Sequence, residues 1–141
     1  MPKSTRTRIS LAKLSRPRLH EALPRGPLFA KLDELRTRGA IWIDAPPGAG
    51  KTSLVGSWLD ARQIESVWYQ VDASDNDLAT CISFLVQLAR QGRGRKPLPY
   101  LTPEYLHDEA GFARRFVREL FARFSPETVY VFDNCHEAAS P

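Results

Sequence analysis

The residue types best able to do chemistry lie between Asp44 and Leu54, in the run D-A-P-P-G-A-G-K-T-S-L. Ala45, Pro46, Pro47, Gly48, Ala49, Gly50, Lys51 and Thr52 follow the phosphate-loop pattern G-x-x-x-x-G-K-[ST], with Ala45 in place of the first glycine. Gly48 and Gly50 let the backbone turn where a side chain would clash. The turn aims successive N–H groups inward as an anion nest. A helix starting there adds its dipole and its unpaired N–H groups. Lys51 is expected to reach the β- and γ-phosphates of a nucleotide. Thr52 is expected to offer its hydroxyl to Mg²⁺, and Ser53 to donate to the α-phosphate. A Gly/Pro turn that only precedes a capped helix needs no G-K-T in that order.

A metal beside those phosphates needs a carboxylate partner. V-Y-V-F-D-N reads as a buried strand from which Asp133 emerges, able to hold Mg²⁺ through a water. Asn134 follows, where a catalytic carboxylate would polarise an attacking water. An amide orients water but is a very poor base. Glu137 reads as a solvated surface residue, and His136 is left open between a phosphate contact and packing.

The elements around these residues must bring them together. P-L-F-A-K-L-D-E-L-R-T-R-G reads as a helix, with Pro27 in its first turn, Leu28, Leu32 and Leu35 on one face, and Gly39 as its stop. Residues 40–45 read as a short buried strand, and 51–62 as a helix carrying Leu54, Val55, Trp58 and Leu59. A second strand is expected over 66–72. A helix capped by Asp75 or Asn76 follows, with Leu78, Ile82, Leu85, Val86 and Leu88 as its stripe. The Gly/Pro-rich, basic run 92–103 reads as a loop. Residues 111–124 return to helix on Phe112, Phe116, Leu120 and Phe124, and 127–134 form a third strand. Strands alternating with helices imply an α/β fold with a parallel sheet. Ligands of such sheets sit beyond the carboxyl ends of the strands, where 45–53 and 133–137 both fall.

The 141 residues, 43% hydrophobic and 26% charged, suit one globular domain. No apolar run is long enough to span a bilayer. Two cysteines without metal-ligand spacing point to a reduced, cytoplasmic setting. The charge of +4 is uneven. Residues 1–25 hold seven basic residues and one acid, against thirteen and fifteen in the remainder. The arm reads as a solvated, partly disordered tail, with order from Leu11 onward, rather than a nucleic-acid footprint, because no aromatic residue lies in it to stack on bases.

Further stretches carry a resemblance: L-A-K-L-S-R-P-R-L, L-P-R-G-P-L-F-A-K-L, A-P-P-G-A-G-K-T-S-L-V-G-S-W, V-W-Y-Q-V-D-A-S-D-N and F-A-R-F-S-P-E-T-V-Y-V-F-D-N-C-H-E, in that order. Together they resemble the N-terminal nucleotide-binding part of STAND-class P-loop ATPases, nearest to large bacterial ATP-dependent transcriptional activators with a LuxR-like C-terminal DNA-binding domain. The resemblance implies a P-loop NTPase three-layer αβα fold with a parallel sheet, apparently truncated after the Walker-B strand. It implies a division into a basic, base-contacting segment at 1–25 and the NTPase part at 26–141. Gly48 to Thr52 would hold the phosphates of ATP or ADP around Lys51. Asp133 would be the Walker-B acid, and Arg25 and Leu28 would contact base or ribose. Trp68, Tyr69 and Asp72 match a recurrent strand-end motif, which reads here as core packing plus a helix cap. The family usually has a second acid at the position of Asn134, so slow or no hydrolysis is expected, with Lys51, Asp133 and Asn134 as the catalytic set.

Full-length members would associate with nucleotide and reach DNA only through a C-terminal domain absent here, with no membrane contact. Ending after the third strand should expose apolar edges and give marginal stability or association. Two rival readings are a phosphotransferase with Arg93, Arg95 and Lys96 in a lid, and a non-enzymatic interaction module.

Overall fold

The computed structural model describes residues 12–18 and 25–138. Residues 1–11 and 19–24 of the basic arm, and 139–141 at the far end, lie outside the described residues.

Pro27 sits in the first turn of α1 (Gly26–Arg36), where its missing N–H removes no helical bond. Phe29 and Leu32 are the buried residues of α1. Leu28 stays 45% exposed, so the apolar face is turned one position from the expected Leu28–Leu32–Leu35 stripe. Adjacent Leu28 and Phe29 could each have led it, and the larger ring is the one buried. Gly39, at φ +102°, lies two residues beyond the cap Thr37. α2 (Lys51–Ala61) buries Trp58 and Leu59. Asp33 of α1 binds α2, accepting from Trp58 Nε1 at 2.8 Å and from the Arg62 guanidinium at 2.8 Å.

Residues 40–45 depart from the sequence expectation. Ile41 and Ile43 pack into the α1–α2 core while Trp42 is 80% exposed, so the side chains alternate as in a strand. Yet among the described residues no hydrogen bond reaches the backbone of 40–44. A strand is completed by a neighbour, and no described strand lies beside this segment.

The strands that do pair are β1 (Ser66–Gln70) and β2 (Val129–Asp133). They run parallel, with Ser66 opposite Val129 and Gln70 opposite Asp133. Parallel pairs need both faces covered; side chains pack on both faces here, although Phe132 of β2 stays 47% exposed. Trp68, Val129 and Val131 pack against α1 and α2. Val67, Tyr69 and Tyr130 pack on the other side with Leu14, Leu88 and Phe124.

α3 (Leu78–Leu88) is capped by Asp77, whose carboxylate accepts the Thr80 N–H at 3.0 Å, rather than by Asp75 or Asn76. The linker 92–102 is irregular, as expected, up to the short turn Pro103–His107. α4 (Glu109–Phe121) starts two residues earlier than the apolar pattern suggests, because Asp108 caps it through the Gly111 N–H. Phe112, Phe116 and Leu120 are sealed to 1% exposure or less. Among the described residues no helix is long and apolar enough to cross a membrane.

Candidate functional site

Gly48 (φ +80°) and Gly50 (φ +85°) occupy the left-handed region that side chains avoid. Between them the Ala49 N–H donates to the Pro46 carbonyl at 3.1 Å, closing a tight turn. Gly50 is the N-cap of α2, and no side chain caps that end. The first-turn N–H groups therefore lack a side-chain cap.

Thr52 on α2 and Asp133 at the end of β2 are 81 residues apart in sequence. The Thr52 hydroxyl donates to Asp133 Oδ2 at 2.7 Å. The other carboxylate oxygen accepts the Asn134 N–H at 2.9 Å. Lys51 folds back on its own loop and donates from Nζ to the Ala45 carbonyl at 2.5 Å. That ammonium is held at the loop by a neutral acceptor, which a phosphate oxygen would replace with a charge-assisted bond. Ser53 gives its carbonyl to the Ser57 hydroxyl at 2.6 Å.

Arg25 brings a second cation to the loop. A Cβ built on Gly50 would lie 3.1 Å from its Nη2, so the guanidinium rests on the turn itself. Leu28 lines a groove of about 220 Å³ with Ile41, Trp42, Ile43 and Leu54. Asp44, the residue before the loop, lines the same groove.

Asn134 takes a left-handed conformation, φ +60°, which asparagine tolerates better than most residues. Beyond it His136 and Glu137 pair with each other at 3.1 Å on the surface, each side chain more than half exposed. Burial, and then the charge of Asp133, push the Cys135 thiol above its ordinary range. Among the described residues no three His, Cys, Asp or Glu side chains group as a metal cage. Thr52 and Asp133 supply hard oxygens that suit Mg²⁺, an ion that keeps several waters and completes its shell from phosphates.

Sequence reasoning missed a polar cluster behind β1. Lys13, buried in spite of its charge, pairs with Asp75 at 2.7 Å and Asp72 at 2.8 Å. Tyr69 donates its hydroxyl to the same Asp75. The Lys13 ammonium beside Asp72 holds that carboxyl below its usual range, and burial pushes the Tyr69 hydroxyl far up. Three residues on, Arg16 donates to Asp60 at 2.7 Å and to the Gly56 carbonyl, both on α2. Residues 12–18 are therefore docked on the body, in line with order from Leu11 onward. The sequence signal was Leu14, an apolar residue beside Lys13, now 5% exposed. Trp68 and Tyr69 are core residues at 2% exposure, and Asp72 caps the turn Ala73–Asn76.

The chain is 37% identical over 84 residues to the HTH-type transcriptional regulator MalT of Cronobacter sakazakii, covering 59% of this chain and 9% of that protein. It is 38% identical over 89 residues to the HTH-type transcriptional regulator MalT of Yersinia enterocolitica, covering 60% of this chain and 10% of that one. The chain spans about a tenth of the length of the curated relatives it matches. No family model matches the chain. No solved structure matches it either.

Proposed function

We propose that this chain is the nucleotide-binding part of a transcriptional regulator of the kind its relatives are named for, and that it holds ATP with Mg²⁺. The observation that carries this reading is the meeting of Thr52 and Asp133 at 2.7 Å, directly after a loop with two left-handed glycines. The loop N–H groups and Lys51 bind the β- and γ-phosphates. Thr52 and Asp133 would hold the ion, which when bound would neutralise phosphate charge. Arg25 and Leu28 flank the nucleoside. Asn134 orients water without accepting its proton, so hydrolysis is slow or absent and the nucleotide acts as a switch. A P-loop NTPase three-layer αβα fold is the architecture that fits this reading, with β1 and β2 as two of its strands. In the full-length cytoplasmic protein, nucleotide would bias self-association, and DNA sequence would be read by a separate domain.

The test is calorimetric titration of the chain with Mg²⁺·ATP and Mg²⁺·ADP beside Lys51→Ala. Saturable binding that the variant loses supports the reading. A folded wild-type chain that takes up neither nucleotide overturns it for this piece.

A further inference from the structure

A run of exposed cations lies outside the phosphate loop, between α3 and α4. Arg90, Arg93, Arg95 and Lys96 fall within seven residues that contain no acid, and all four are exposed. The segment is fixed at both ends. Gly92 packs so closely on the chain leaving α4 that a Cβ there would lie 2.7 Å from the Arg123 carbonyl oxygen. The next N–H, of Arg93, donates to that same oxygen at 2.7 Å. At the far end Leu98 is 7% exposed, inserted among Phe112, Phe116 and Leu120. The backbone bond sets Arg93 next to the partly exposed Arg123 in the fold, which adds a fifth cation to the neighbourhood of the run. Among the described residues none of the five forms an ion pair.

Like charges close along an anchored segment without a counterion repel one another, and the repulsion is relieved by a polyanion. We infer that Arg90, Arg93, Arg95, Lys96 and Arg123 form a docking surface for the phosphate backbone of a nucleic acid. The composition favours that partner over an acidic protein. A protein interface needs apolar or aromatic residues at its centre, and residues 90–97 supply almost none. Phosphate contacts need only cations held in place, and arginine, four of the five here, matches a phosphate bidentately. Such contacts fix position without reading bases. Fixing at both ends also gives the run a different role from the mobile lid that a phosphotransferase would require.

The test is fluorescence anisotropy of a short labelled DNA duplex, titrated with the full chain over a range of salt concentrations. Each phosphate contact adds about 0.9 to the slope of log affinity against log salt. The triple variant Arg93→Gln, Arg95→Gln, Lys96→Gln should bind more weakly, with a slope about 2.7 smaller. Arg93→Lys with Arg95→Lys should keep the slope. Neutralising Lys3, Arg6 and Arg8 should leave the loop's contribution unchanged, and so should Lys51→Ala. A wild-type slope in the triple variant overturns the inference. So does duplex binding that vanishes with the arm charges alone, or no duplex binding by the wild-type chain. Loop-dependent binding to phosphatidylserine vesicles without duplex binding also overturns it, and assigns the surface to a membrane. A circular-dichroism melt of each variant confirms that the comparison is between folded chains.

Discussion

The two ends of the molecule are held together by different physics. Around α4, Phe112, Phe116 and Leu120 are sealed, and Ala89 and Leu98 close the cluster over them. Around the phosphate loop Trp42 remains open at 80% exposure, and among the described residues no hydrogen bond reaches the backbone of 40–44. What positions that side is a set of directed contacts: Thr52 to Asp133, Lys51 to Ala45, and two left-handed glycines. Apolar packing is insensitive to direction and supplies stability. Hydrogen bonds contribute less net stability but fix geometry. The loop's geometry is thus set by directed polar contacts laid over the α1–α2 core, whereas the α4 cluster is held by apolar packing.

The comparison is broken most severely from the sealed side. Phe112→Ala should cost about 3–5 kcal/mol in denaturant unfolding, by lost transfer energy plus a cavity. Next comes the buried ion cluster. Lys13→Ala should cost about 3 kcal/mol, because Asp75 is left buried without its cation. The same variant should flatten the acid limb of stability. The depressed Asp72 carboxyl contributes stability above the ordinary carboxylate range, and that contribution is lost as pH falls through its folded value. Urea midpoints measured across the acid range check both statements. Gly50→Ala should cost about 1–2 kcal/mol for the left-handed backbone. It should also displace Arg25 and abolish nucleotide binding in the calorimeter, a separation of stability from site that Phe112→Ala cannot produce. At the bottom of the scale, Trp42→Ala should shift the thermal midpoint hardly at all, within about 0.5 kcal/mol. A large loss there would mean that the open end is sealed in solution.

The same contrast explains what could be read in the sequence. The loop is legible because its glycines, lysine and threonine answer to local backbone geometry, and Asp133 because it ends a plainly apolar strand. The Phe112–Phe116–Leu120 face is legible because one side of one helix repeats cleanly. The cap of α3 is not, since Asp75, Asn76 and Asp77 stand in succession and any of them can cap. A distant contact decides, because Lys13 and Tyr69 draw Asp75 inward and leave Asp77 for the helix. Residues 40–45 look like a strand by composition, but pairing belongs to the neighbour and cannot be read from one segment. Lys13 is the plainest failure. A lysine in a basic arm gives no sign that two carboxylates and a tyrosine ring will bury it.

The uneven burial of three indoles has an optical consequence. Trp58 and Trp68 are shut away at 2% exposure, whereas Trp42 stands in water three residues before Ala45, where the phosphate loop begins. Acrylamide or iodide in the buffer would therefore darken one emitter and spare the other two. The quenched, red-edge component of the natural fluorescence reports on the mouth of the loop without any dye attached.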